Sequence, residues 1–189
     1  MRSSITFILV LSLLVLSRAT SQDSLDNQWK VAERQIKRLP PSAFEKLPIG
    51  IVEVLMKGGY TIPQCSDHPG PHNVISGEFK VSGKKDWAVL ASKNGVSSII
   101  IFWGGVTKDT SHLLAARDIG YLQGGEHEIE YSRLIKVVDK GRISKNKNIL
   151  GDRSTMLIDH DGIEDFFWNK ASAIYYLYKG DWIEFFGSD

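Results

Sequence analysis

Between Cys65 and His72 the chain reads Cys-Ser-Asp-His-Pro-Gly-Pro-His, which gathers a thiol, a carboxylate and two imidazoles into eight residues. Cys65, His68 and His72 are the ligand types that Zn²⁺ or Cu favours, because thiolate and imidazole are soft or borderline donors. A metal there needs a fourth ligand from another part of the fold, and Pro69 and Pro71 restrict how the three can turn toward one point. Cys65 with a distant His would also make a thiol nucleophile pair, though no local cysteine-enzyme signature surrounds it. Two other clusters mix acid and imidazole. Asp159-His160-Asp161 sets a His between two carboxylates, a pattern suited to acid–base chemistry. Asp161-Gly162 is also a tight-turn dipeptide, and a hairpin turn is the preferred reading. Glu126-His127-Glu128 follows Gly124-Gly125 and reads as an exposed loop. There is no G-x-S-x-G, H-E-x-x-H, phosphate-binding glycine loop or dinucleotide fingerprint, so the common enzyme classes lack their signatures.

These residues need a body to hold them. The chain has 189 residues, 42% of them hydrophobic, with 23 basic against 22 acidic and a single Cys. That length suits one domain. The balance of charge leaves no excess for a nucleic-acid backbone, and the apolar content is too high for a disordered chain. One Cys can form neither an internal disulfide nor a Cys-rich zinc site.

Residues 1–22 read as a secretory signal peptide rather than as part of the domain, which then spans 23–189. Arg2 supplies the positive start, Ile5 to Leu16 the apolar stretch, and Ser17, Ala19 and Ser21 the small residues of a cleavage site. The expected location is secreted or periplasmic. Cleavage removes Arg2 and Arg18 and no acid, which turns the net charge of +1 into −1. Cys65 becomes an exported lone thiol, either buried and inert or paired between two chains.

The periods along the mature chain are helical first and strand-like afterwards. Trp29, Ala32, Ile36 and Leu39 give a helix from about Leu25 to Lys37 an apolar stripe, and Pro40-Pro41 stops it. Phe44 and Leu47 point inward, and a second helix runs from Pro48 to Gly58 with Ile51, Val54, Leu55 and Met56 on its apolar face. Strands are expected at Asn73–Lys80, Asp86–Ser92, Ser97–Trp103, Ile119–Gln123, Glu128–Val138, Thr155–Asp159, Gly162–Trp168, Ala173–Tyr178 and Trp182–Phe186. Asn94-Gly95 supplies a tight hairpin turn, Gly180-Asp181 another, and Ser98–Trp103 is apolar enough to be buried on both faces. Thr107–Ala116 reads as a short helix or wide loop, and Gly141–Gly151 as a basic exposed loop. No helices alternate with the strands, so the fold class is α+β: N-terminal helices packed on a mostly antiparallel β-sheet meander.

One stretch resembles a known family. Gly77, Phe79, Gly83, Asp86, Ala88 and Val89 stand where the FG-GAP or VCBS-type repeats of β-propellers place G-D-F-N-G-D-G-x-x-D-L-A-V. The resemblance implies a local hairpin and extracellular company. In that family the loop binds calcium through alternate oxygens, here Glu78, Lys80, Ser82 and Asp86. Lys80 puts an ammonium where an acid or amide belongs, so a metal-free turn is expected, with Lys80 neutralising Asp86 or Glu78. As a whole the chain is similar to exported bacterial proteins of uncharacterised function.

The aromatic pairs Phe166-Phe167, Tyr175-Tyr176 and Phe185-Phe186 point to opposite faces of their strands. A two-sided core is the expected arrangement, and an uncovered second face would instead bind protein or glycan. The resulting expectation is a small exported binding or accessory protein without catalysis, needing no cofactor. The alternative is a hydrolase or metal-dependent enzyme using the Cys65–His72 loop or the Asp159–Asp161 turn, with Zn or Cu at Cys65, His68 and His72.

Overall fold

The computed structural model describes residues 26–66, 68–124, 128–145, 153 and 155–187. The expected leader at residues 1–22, Asp67 and the Glu126-His127 pair lie outside the described residues. What is seen is α+β with antiparallel sheets. Two of the sheets are four-stranded meanders and two are short hairpin-like pairs.

The first meander is β3 (Val74–Gly77), β4 (Asp86–Lys93), β5 (Val96–Phe102) and β6 (Thr110–Arg117). Its central hairpin turns at Asn94 and Gly95, both with positive φ, as a two-residue turn requires. The second meander is β9 (Arg133–Val138), β10 (Gly162–Phe167), β11 (Ser172–Tyr178) and β12 (Asp181–Phe186). The two pack face to face. Leu90, Ile99, Ile101, Trp103 and Leu113 from one side meet Ile135, Ile163 and Tyr175 from the other. Trp103 and Trp182 stack across the two sheets, with ring centroids 6.1 Å apart.

The helices do not share one face. α1 (residues 26–35) and the residues after it bury Ala32 and Ile36 against Leu122 and Tyr131 of the pair β7 (Leu122–Gly124) and β8 (Ile129–Tyr131). α2 (Ile49–Lys57) lies on the outer face of the first meander, where Ile51, Val52 and Leu55 meet Val89, Ala91, Ile100 and Phe102. Val54 and Met56, expected on its apolar face, are 44% and 52% exposed, because the inward arc is centred on Leu55 and both lie well to either side. β5 is buried on both faces as expected, its even and odd residues serving the two layers.

A third helix, α3 (Lys140–Lys145), stands where an exposed basic loop was expected. It buries Ile143 with Val138, Ile174, Tyr176 and Phe185 on the outer face of the second meander. Thr155–Asp159 is not a strand. Met156 and Ile158 pack on that same cluster while Leu157 is 72% exposed, so the alternation read as strand belongs to an extended cover without a ladder partner. Conversely, Thr110–Arg117 is strand β6 rather than helix or loop, broken by Leu114 at φ 56°. The stretch read as one strand over Glu128–Val138 splits at Ser132, whose amide and hydroxyl both donate to the Tyr121 carbonyl. The last hairpin turns on Lys179-Gly180, one residue earlier than expected. The remaining pair, β1 (Arg38–Leu39) with β2 (Ile62–Pro63), ties the segment after α1 to the segment after α2.

Candidate functional site

The structure places most of the chemistry-bearing residues in backbone-stapling roles. In the Cys65–His72 loop, the Cys65 amide donates to His72 Nε2 at 2.6 Å. The His72 proton therefore sits on Nδ1, where it donates to the Gly70 carbonyl at 3.0 Å. Burial lowers the His72 pKa, and His68 and Lys37 push in the same direction against the Gly70 hydrogen bond. Cys65 is buried. His68 packs on His72, with centroids 4.6 Å apart, and reaches Trp168 edge-on at 6.3 Å. A metal on His72 would have to displace the Cys65 amide or the Gly70 carbonyl. Among the described residues no group of three or more His, Cys, Asp or Glu converges as a metal site.

Asp159-His160-Asp161 is a corner between the covering segment and β10, not a hairpin turn. The Asp161 carboxylate accepts the amides of Glu78 and Lys140, and its own amide donates to the Glu78 carbonyl. His160 is buried, stacks flat on Tyr176 at 4.2 Å, and has its ring nitrogens against the carbonyls of Asp161 and Leu177. The Tyr176 hydroxyl donates to Asp159. No contact joins this corner to His68 or His72 among the described residues.

The Gly77–Asp86 turn is closed by its own atoms. Asp86 is buried, with one oxygen accepting the Phe79 amide and the other the Gly104 amide. Lys80 does not neutralise an acid; its ammonium lies over Trp103, 5.2 Å from the ring centroid. The cation near Glu78 is Lys140, at 3.8 Å. A backbone hydrogen bond from Gly83 holds Glu78 below the usual carboxylate range, helped by Ser82 and Lys140. At the far end of the sandwich Arg133 is fully buried. It grips Asp165 with two hydrogen bonds, donates to Ser97, and lies 4.3 Å over Tyr121.

A different surface has the character of a binding site. A groove of about 840 Å³ opens on the outer face of the first meander, beside α2. Val74, Ser76 and Trp87 form its floor, and Ser76 and Trp87 are direct cross-strand partners. Phe44, Glu45, Lys46 and Leu47 from the turn before α2 make one wall, and Pro71 and Lys85 contribute to the rim. α2 covers the sheet over Val89 and Ala91, and Trp87, Val74 and Phe44 pack half-buried at the margin of that cluster. Lys85 Nζ lies 4.8 Å from the Trp87 ring centroid. The side chains of Glu45, Lys46 and Ser76 make no hydrogen bond or ion pair with other described residues, and neither does the Trp87 indole N–H.

The Cys65–His72 loop enters this site through Pro71, not through its thiol or imidazoles. The aromatic face expected on the last strands is largely covered: Tyr176 and Phe185 are buried under α3 and residues 156–158, while Phe186 remains 88% exposed. Sequence reasoning missed the groove because its walls come from separate segments. The one local signal was Lys84-Lys85-Asp86-Trp87, which sets cations beside an indole at the start of a strand. No helix among the described residues is long and apolar enough to cross a membrane. No family model, curated protein or solved structure matches the chain.

Proposed function

We propose that the chain is an exported, non-catalytic binding protein, secreted or periplasmic, and that the groove over Trp87 receives its ligand. The observation that carries this reading is a contrast in hydrogen bonding. His72, Asp86, His160, Asp161 and Arg133 spend their polar atoms on the protein's own backbone and side chains. The groove instead presents an aromatic floor and polar groups with no partner among the described residues. A concave surface that sets an aromatic ring among uncommitted polar groups is suited to binding a ligand. Export is supported by Arg2, the Ile5–Leu16 apolar stretch and the small residues up to Ser21. The likeness of Gly77–Val89 to repeats of extracellular proteins supports the same location.

The test is a panel of soluble oligosaccharides and peptides titrated against the mature protein and three variants. Trp87→Ala is expected to abolish binding of whichever ligand is found. His68→Ala and His160→Ala are expected to leave the affinity of the folded protein unchanged. Binding that survives Trp87→Ala and fails in a histidine variant would overturn the reading. Mass analysis of the exported protein, with an N-terminus near residue 20 to 22, checks the leader.

A further inference from the structure

Building on that reading, we infer that the groove's ligand is an anionic oligosaccharide, with carboxylates carried on its sugar rings. The floor is the flat face of a sheet. Val74 pairs with Val89 and Ser76 with Trp87, so the β3 and β4 backbones are committed to each other along this stretch. β3 is the edge strand of its sheet, and the residues on either side of it are tied to the rest of the fold. The Asn73 side chain donates to the Arg133 carbonyl and accepts from the Ile135 amide, and Glu78 is tied to Asp161. The groove lies over the face of the sheet, so a peptide seated in it would meet side chains rather than the strand-edge groups through which a sheet usually captures one.

What the groove offers instead is a ring face and a surplus of donors. The Trp87 indole is a flat apolar platform with one N–H donor. Ser76 adds a hydroxyl beside it, and Lys46 and Lys85 add two ammonium groups against the single carboxylate of Glu45. Lys85 already rests against the indole. A carboxylate that draws the Lys85 ammonium off the indole therefore sets the ring it is attached to against Trp87. A uronic-acid sugar supplies both parts in one residue: a C–H face for the indole and a carboxylate for the ammonium. A neutral sugar would satisfy the indole and leave both lysines without an anion. An acidic peptide would satisfy the lysines without laying a flat C–H face on the indole.

The experiment is calorimetric titration of the mature protein with three probes. These are oligogalacturonate, the same oligomer with its carboxylates reduced to alcohols, and oligoglutamate. Oligogalacturonate is expected to bind about tenfold more tightly than the reduced oligomer at low salt, which corresponds to about one charge-assisted contact. Lys85→Gln, an exposed position whose change leaves the core intact, should erase that preference. Equal affinity for the acidic and reduced oligomers, or a preference that survives Lys85→Gln, overturns the inference while the groove stands as a site. Oligoglutamate binding as tightly as oligogalacturonate overturns it in favour of an acidic peptide. No binding of any probe also overturns it. Binding indifferent to Trp87→Ala instead defeats the reading of the groove itself.

Discussion

The buried seam around Arg133 and the groove over Trp87 are built from similar residue types and serve opposite ends. In the seam, a guanidinium, a carboxylate, a hydroxyl and an aromatic ring close on one another. The carboxylate of Asp118 is likewise engaged by Arg38 and Ser92 through one of its oxygens, although its other oxygen has no hydrogen-bond partner among the described residues. In the groove, ammonium groups, a hydroxyl, a carboxylate and aromatic rings stand side by side without closing. The difference teaches where to look. A titratable group in a folded chain is evidence of function only when its hydrogen-bonding capacity is not already used by the fold.

The largest effect should come from breaking the seam. Arg133→Met leaves the largely covered Asp165 carboxylate without its partner and should cost about 3 kcal/mol in chemical denaturation. Replacing Asp165 with Leu as well should recover a good part of that loss, since the second buried charge is then gone. If Arg133→Met cost no more than a surface change, the seam would not hold the sandwich end.

Asp86→Ala comes next. It strands the amides of Phe79 and Gly104, and should cost about 2–3 kcal/mol in the same measurement, with Asp86→Asn milder because one acceptor is kept. Trp87→Ala should combine loss of ligand binding with a stability cost of about 1–2 kcal/mol, short of that for a fully buried Trp. A large stability loss without a binding effect would move Trp87 from the groove to the core.

The smallest effect concerns pH. Burial depresses the His72 pKa in the folded chain, so above the unfolded pKa the ring is neutral in both states and contributes nothing to pH dependence. As the pH falls below about 6.5, the unfolded chain takes up a proton that the folded loop resists, and stability declines. His72→Gln should flatten that part of the stability–pH profile. A steeper profile in the variant would contradict the hydrogen bond from the Cys65 amide to Nε2.

The sequence made some of this legible and hid the rest for physical reasons. Asn94-Gly95 and the apolar run through Ile99, Ile100 and Ile101 are local signals, and both the tight turn and the two-faced burial are present. Strand β6 was hidden because Ser111 and His112 are polar and Leu114 adopts a left-handed conformation. Thr155–Asp159 imitated a strand because an extended cover and a strand share the same alternation of side chains. α3 was hidden by its composition, since Ile143 is its only buried residue. The α+β class was readable from the order of the periods. The sharing of helices among different layers was not, because it depends on which sheet each apolar stripe meets. The candidate metal loop was legible as chemistry only; the bond from the Cys65 amide to His72 is a matter of loop geometry that spacing does not reveal.

The central claim is that the groove, and not the histidine-bearing loops, is where this protein meets its ligand. The most direct measurement is an NMR titration of the isotope-labelled mature protein with oligogalacturonate, following backbone amides and the indole N–H signals. The account predicts that the Trp87 indole N–H and the amides of Phe44, Ser76 and Lys85 shift together and saturate at one ligand concentration. Shifts centred on His68, His72 or His160, with Trp87 silent, would contradict it.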